Sequence, residues 1–314
     1  MAIDQRSTGN ATPDARTLAA YMTSTVLAGA NAVAVRFTVA ELPPLWGAGL
    51  RFAAAALIFW TIAALQRSAM PRGRALTGIV MYGVLSFGVG YAFLYWGLQS
   101  VQAGLTQVVL ALTPLFTVFF AFLHGLEAFR WRGIAGALLA LAGIAYAFFE
   151  QPAASTPLLA LLAIVAGAAC FAESFVLIKK VPSADPVITN ALGMAVGSAI
   201  LLLTSRLFGE SWRLPVLPAT WLSTGYLVLV GSVIVFYLFV YVVRRWTASA
   251  SAYQAVLMPF VTVLLAGWLA GEIVNGAFLL GGALVLVGVW IGAFSQPSRP
   301  RVPEAAVTAA GEAD

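Results

Sequence analysis

Residues 112–127 read LTPLFTVFFAFLHGLE, and residues 257–272 read LMPFVTVLLAGWLAGE. Each run is apolar, carries a proline inside it and ends on a glutamate. Sliding the chain on itself by 145 residues superposes Leu112 on Leu257, Pro114 on Pro259, Thr117 on Thr262, Val118 on Val263, Ala121 on Ala266 and Glu127 on Glu272. The register continues without a gap through Gly136 on Gly281 and Gly143 on Gly288 to Gln151-Pro152 on Gln296-Pro297. A weaker echo near a shift of 142 sets Pro44 on Pro186. The chain is therefore read as one unit made twice.

The composition says where such a unit lives. Of 314 residues, 61% are hydrophobic and 9% charged, which leaves too little polar surface to face water. A membrane-crossing helix takes about 20 apolar residues. Ten such stretches are expected, at 17–39, 43–65, 75–98, 103–123, 130–150, 157–180, 184–206, 216–243, 247–270 and 272–296. Residues 1–16 and 297–314 read as disordered cytoplasmic tails. The first half is 17–150, an outer linker is 151–156, and the second half is 157–296. The opening residues mix Asp4 and Asp14 with Arg6 and Arg16, unlike a secretory signal, so the first span is expected to be retained.

The basic residues set an orientation. Thirteen of the seventeen Lys and Arg fall on one side: Arg6 and Arg16, Arg67, Arg72 and Arg74, Arg130 and Arg132, Lys179 and Lys180, Arg244 and Arg245, Arg299 and Arg301. Arg206 and Arg213 fall on the other side, and Arg36 and Arg51 lie within spans. Short basic loops resist translocation, which places both termini in the cytoplasm of a bacterial inner-membrane protein. The net charge of +5 then meets anionic lipid, and no nucleic acid is called for.

Five spans per half is an odd number, so the second half enters the membrane from the opposite side. The expected architecture is an all-α integral membrane protein of ten helices, two inverted five-helix repeats around a central cavity. Inverted repeats with a midplane site are the build of secondary transporters. Pro114 and Pro259 are helix kinks, each leaving the carbonyl four residues earlier, Leu110 or Ala255, without its helical donor. Such a carbonyl is tolerated in hydrocarbon where protein or a wet cavity satisfies it. Thr106, Gln107 and Thr113 flank one kink, and Ser251, Tyr253 and Gln254 the other, so the cavity is expected beside spans 4 and 9. A packing kink without substrate contact is the alternative. Glu127 and Glu272 are read as helix ends at the two membrane surfaces.

The Pro-to-Glu spacing, the Gly-rich runs GIAGALLALAG (133–143) and GGALVLVG (281–288), ANAVAVRF (30–37), and Pro43, Pro44, Leu50, Arg51 and Phe52 resemble the EamA family of the drug/metabolite transporter superfamily. A likeness to its YddG-type amino-acid exporters accompanies this. The resemblance spans about residues 18–296 and implies ten helices, inverted halves and export of small metabolites.

Lining residues are expected from span 3, where Tyr82 and Ser86 share a face with Tyr91 and Tyr95 beside it, and from Tyr237 in span 8. Their amphipathic rings suit a small amphipathic substrate, although tyrosines also serve as interfacial belts, as is expected of Tyr226 and Trp221. Glu173 is the acidic residue deep in a span, next to Ser174 and matched by Asn31 in span 1. It is either a cavity carboxylate able to carry a proton or a structural hydrogen-bonding group. Arg51, about 12 Å into its span, is expected to snorkel or to pair with Glu41. With no cation assigned to the midplane, neutral or zwitterionic amphipaths fit best, hydrophobic amino acids first. Cationic drugs and nucleosides remain as alternatives, and a passive channel as a lesser one.

Chemistry is not expected. The one cysteine, Cys170, and the one histidine, His124, leave no thiolate or histidine cluster, and no HExxH or phosphate-binding loop occurs. No cofactor or metal is expected; small molecules and membrane lipids are the partners. The small-residue runs GMAVG, GWLAG and GVWIG read as internal packing, which favours a monomer over a dimer.

Overall fold

The computed structural model describes residues 14–125, 131–149, 157–182, 184–245, 254–272 and 274–291. All regular structure among them is helical, in ten passes. These are α1 (Ala15–Val39), α2 (Pro44–Gln66), α3 (Arg74–Gly97), α4 (Ala103–Leu123), α5 (Trp131–Phe149), α6 (Leu158–Lys179), α7 (Pro186–Leu207), α8 (Pro218–Val228, Leu229–Ile234 and Val235–Arg245), α9 (Gln254–Ala270) and α10 (Gly276–Val289). Seven are long and apolar enough to cross a membrane, and α5, α9 and α10 are shorter apolar helices within the described residues. Outward faces are apolar, with Leu65 81% and Trp268 80% exposed, as lipid contact requires.

The helix ends follow local chemistry. Pro44, Pro186 and Pro218 open α2, α7 and α8 at positions where the missing N–H costs nothing. Asp14, Asp185 and Asn275 accept from the backbone N–H groups of Thr17, Val187 and Phe278 at the starts of α1, α7 and α10. Gly209 and Gly271, at φ +71° and +64°, let the chain turn away after α7 and α9.

The packing crosses between halves. The most extensive helix pairs are α2 with α7 and α5 with α10, followed by α3 with α6 and α7, α1 with α8 and α9, and α4 with α6 and α9. Contacts inside one half, such as α2 with α3 or α4 with α5, are slighter. The pattern is that of a pseudo-two-fold relation: α1 lies on α8 and α9 as its counterpart α6 lies on α3 and α4. Most of each half's helix packing is thus made with the other half.

The α5–α10 seam shows the relation atom by atom. A methyl group at Gly143 would meet the Gly281 carbonyl oxygen at 2.5 Å and the Val285 nitrogen at 2.9 Å. The contact related by the repeat has the same form: a methyl at Gly288 would meet the Gly136 carbonyl at 2.5 Å and the Ala140 nitrogen at 2.7 Å. Without a hydrophobic force between helices in lipid, such backbone-to-backbone approach supplies the van der Waals contact that holds them. The small-residue runs that enter this seam pack inside the chain.

The two proline sites are handled differently. In α4 the helix is interrupted at Ala111 and Leu112, and the Thr113 hydroxyl donates to the freed Leu110 carbonyl at 2.7 Å. In α9 the helix runs through Pro259, and the Thr262 hydroxyl donates to Met258 O at 3.1 Å and to Gly29 O of α1 at 2.6 Å. One kink is closed locally, while the other has a threonine beside it that ties α9 to α1.

Candidate functional site

Both α3, over Gly83–Gly90, and α8, over Leu229–Ile234, carry π-helical segments within their length. Such turns are rare and release backbone groups from the regular helical ladder. Moved by the 145-residue repeat, the α3 segment falls on 228–235, which contains the α8 segment. The same irregularity is thus built into both halves, and residues of α1 and α2 converge on the second copy.

Arg51 sits there. Its side chain is 1% exposed. Nε donates to the Ser232 hydroxyl at 3.0 Å, Nη2 to the Gly231 carbonyl at 3.2 Å and Nη1 to the Tyr95 hydroxyl at 3.4 Å. The guanidinium carbon lies 4.9 Å from the centroid of Phe52 and 5.4 Å from that of Tyr91. No carboxylate among the described residues pairs with it. The expectation that Arg51 snorkels or pairs with Glu41 is therefore corrected, as is the expectation of a core without a cation. Glu41 instead accepts from the backbone N–H groups of Val216, at 2.5 Å, and Leu217 where α8 begins. Arg36 donates to the Leu98 carbonyl at 2.6 Å and the Val101 carbonyl at 3.3 Å past the end of α3, a structural use of a cation at a helix C-terminus.

Around Arg51 the side chains alternate between aromatic and polar. Tyr91 lies 4.5 Å from Phe52, 5.0 Å from Phe171 and 6.4 Å from Tyr95, centroid to centroid. Asn31 donates to the same Gly231 carbonyl at 3.4 Å, and its Oδ1 is buried with no hydrogen-bond partner. The Tyr226 hydroxyl donates to the Leu27 carbonyl at 2.5 Å and so ties α8 to α1. Trp221 is 49% exposed.

The remaining expected residues separate into groups. Tyr82 and Ser86 lie in the buried core of α3, where the Tyr82 ring is 5.3 Å from that of Phe87. Thr106 and Gln107 are buried on α4 and Gln254 on α9; Thr106 Oγ1 and Gln254 Oε1 lack partners. Thr113 is occupied at its kink, and Ser174 donates back to the Phe171 carbonyl of its own helix at 2.7 Å. Tyr237 is 65% exposed and does not join the cluster. Ser251, Tyr253 and Glu127 lie outside the described residues.

Glu173 meets a group from another helix. Its Oε1 lies 2.7 Å from His124 Nε2 at the end of α4, and its Oε2 is buried without a partner. The other imidazole nitrogen, Nδ1, is 3.1 Å from the Lys180 ammonium. Glu272 does more than end α9: it accepts from the Ala103 and Gly104 N–H groups at 2.7 and 3.1 Å, capping α4 from the other half. Glu210 likewise accepts from Leu45 and Trp46 at the start of α2, at 3.2 and 2.8 Å. Glu41, Glu210 and Glu272 thus close one face of the bundle by joining halves, and we call it the capped face.

Arg51 and the π-helical segment of α8 were not legible as a site. The one available signal was an arginine in a span with no acidic residue at helical spacing beside it.

Comparison with known proteins agrees with this architecture. The model of the EamA-like transporter family matches residues 16–149 and again 158–293. The chain is 30% identical to the uncharacterized inner membrane transporter YedA of Escherichia coli (strain K12), over 88% of this chain and 91% of that protein. It is 28% identical to a probable terminal-alkyne amino-acid exporter of Streptantibioticus cattleyicolor, over 70% of this chain and 74% of the relative. A probable amino-acid metabolite efflux pump of Salmonella typhimurium is 27% identical over 86% of this chain and 92% of that one. A solved crystal structure at 21% identity superposes with a TM-score of 0.60, covering 88% and 96% of the two chains, and shares the fold. The chain belongs to the EamA-like transporter family: it is a multi-pass inner-membrane transporter of the drug/metabolite type, not an enzyme.

Proposed function

We propose that this member of the EamA-like family exports amino acids with apolar or aromatic side chains, by alternating access between its two inverted halves. The observation that carries the reading is Arg51, a cation fully buried in the bundle, hydrogen-bonded to neutral groups only and framed by Phe52, Tyr91 and Tyr95. Burying a charge without a counter-ion is costly in hydrocarbon. A site that bears this cost is suited to a ligand that supplies the anion, and a carboxylate matches the guanidinium fork.

An amino acid's side chain then meets ring faces, and its ammonium meets acceptors such as the unpartnered Asn31 Oδ1. The buried cation argues against cationic drugs. Nucleosides carry no carboxylate and leave Arg51 uncompensated. The names of two relatives, an amino-acid exporter and an amino-acid metabolite efflux pump, support the same class. The basic loops support a cytoplasmic position for the end of the bundle that carries Arg67, Arg74 and Lys180, with the capped face outside.

The test is counterflow into proteoliposomes loaded with unlabelled phenylalanine, methionine or leucine. Saturable exchange of labelled phenylalanine is expected, competed by 3-phenylpropionate and not by phenethylamine, which lacks the carboxylate. Competition by phenethylamine alone would overturn the Arg51 reading. Linear, non-saturating flux would make the protein a pore.

A further inference from the structure

The His124–Glu173 ion pair joins α4 to α6 and shares no residue with the Arg51 cluster. We propose that Glu173, His124 and Lys180 form a proton relay that couples export to proton entry, with Glu173 as the proton-carrying group and the imidazole as its path to the basic face. This rests on the transport reading above for its purpose, though not for its geometry.

Glu173 is six residues short of the end of α6, roughly 9 Å from that end. His124 stands where α4 stops, and its ring is 29% exposed against 21% for the glutamate side chain. The three groups therefore step outward from the helix interior to the surface. The ammonium of Lys180 is a donor only, so Nδ1 accepts from it at 3.1 Å, and the neutral imidazole carries its proton on Nε2, directed at Glu173 Oε1 2.7 Å away. The contacts at both nitrogens thus select one tautomer.

The transfer balances. Glu173 carboxylate takes the Nε2 proton and becomes a carboxylic acid; Nδ1 takes a proton from Lys180, whose amine is recharged by water at the basic face. The reverse sequence returns the proton. The Glu173–His124 pair goes from a net charge of −1 to zero as the proton arrives and returns to −1 when it leaves.

The second observation is the buried, unpartnered Oε2. A permanent carboxylate structural pair would have both oxygens satisfied, since an orphan acceptor in a low-dielectric interior is costly. In the acid form, protonated on Oε1, Oε2 is a neutral carbonyl oxygen, for which a missing donor costs less than for a carboxylate. The titratable or charged residues on the elements packed here are few. The length of α3 packs on α6 and carries Arg74, Tyr82, Tyr91 and Tyr95, α4 brings His124, α6 itself has Cys170, and Lys180 follows it. No second carboxylate among the described residues faces Glu173 to share or trap the proton.

The repeat makes the placement specific. By the 142-residue shift, Glu173 corresponds to Asn31, which touches the α8 bulge beside Arg51. A titratable group thus stands in one half where a neutral amide stands in the other, and the half with the titratable group reaches the basic face.

Two measurements on the purified, reconstituted full chain test this. The first is infrared difference spectroscopy after a pH drop at the basic face, which needs no substrate. A protonated-carboxyl band is expected in the wild type, absent in E173Q, and formed about 100-fold more slowly in H124F, the scale of losing one proton-transfer partner. The second is counterflow with and without an inward proton gradient. E173Q is expected to keep exchange at symmetric pH and to lose gradient-driven accumulation.

A wild type with no titrating carboxyl band, or an E173Q protein that still accumulates substrate against a gradient, overturns the relay. A band without counterflow of any amino acid upholds the relay and overturns the substrate reading. Counterflow without a band does the reverse.

Discussion

The π-helical segments of α3 and α8 occupy corresponding places in the two halves, yet they are packed in opposite ways. The α3 segment lies directly on α7 through glycines: a methyl at Gly83 would meet the Gly193 carbonyl at 2.7 Å, and one at Gly197 would clash with Phe87. The α8 segment is approached by side chains, Arg51 from α2 and Asn31 from α1, both reaching the Gly231 carbonyl. The residue corresponding to Gly193 by the repeat is Arg51 itself, each the eighth residue of a helix that begins with proline. Where one half has hydrogen the other has a guanidinium. The contrast shows how a duplicated unit divides its work: one bulge is held by close backbone contact, and the other is met by polar side chains.

The strongest way to break this comparison is to exchange the treatment of the two bulges. G197L on α7 is expected to abolish folding, because a branched side chain has no room against Phe87; the check is loss of the monodisperse peak in detergent. R51M on α2 is expected to leave the midpoint of thermal unfolding unchanged or raised, since replacing a buried charge by an apolar chain of similar size is often neutral or stabilising. Amino-acid counterflow should nevertheless fall by about 100-fold, the order of a lost bidentate charge-assisted contact of roughly 3 kcal/mol. If R51M unfolds while exchange per folded molecule persists, the polar bulge is scaffold and the comparison fails.

The α5–α10 seam sharpens the symmetry from the other side. G143L and G288L make reciprocal intrusions, so each should destabilise by a similar amount, about 1–3 kcal/mol, read from denaturation in detergent. Unequal losses would mean that the halves differ here as they do at the bulges.

The two proline sites give a smaller contrast. T113A removes the hydroxyl that satisfies the Leu110 carbonyl within α4, whereas T262A removes a bond from α9 to α1. Each is expected to cost about 1 kcal/mol in stability. Only T262A should alter exchange rate, because only its bond joins elements of different halves.

The smallest effect concerns Glu41, whose carboxyl is held below its usual value by the Thr220 side chain first and then by the Val216 backbone N–H and the other groups at the start of α8. A lowered folded-state value stabilises above the unfolded carboxylate range, near pH 4.3, and that stabilisation is lost as pH falls through the folded value. E41Q should therefore match the wild type's unfolding midpoint more closely in strong acid than at pH 7.

Much of this molecule was legible in one dimension. Apolar runs with few charges identify spans because each residue's transfer to lipid depends on its own side chain, and eight of the ten expected spans overlay the observed helices closely; the start expected for the span at 247–270 and the end expected for that at 272–296 lie outside the described residues. The doubling was visible because duplication preserves register, down to the glycines that meet in the α5–α10 seam. Glu173, Asn31, Tyr91 and Tyr95 stood out because a polar or amphipathic group inside a span is conspicuous wherever it points.

The partners of those groups were not legible. Arg51 is joined to Tyr95, Gly231 and Ser232 across separations of 44, 180 and 181 residues, and Glu173 to His124 across 49. Arg51 at helical distance from a surface looks like a snorkelling side chain until α8 closes over it. Sequence by itself determined which segments enter the membrane, how many there are and that they come twice, because hydrophobicity and repetition are properties of consecutive residues. Tertiary structure alone decided that one half would bury a cation and the other a glycine at the same place, because burial depends on which helices cross there.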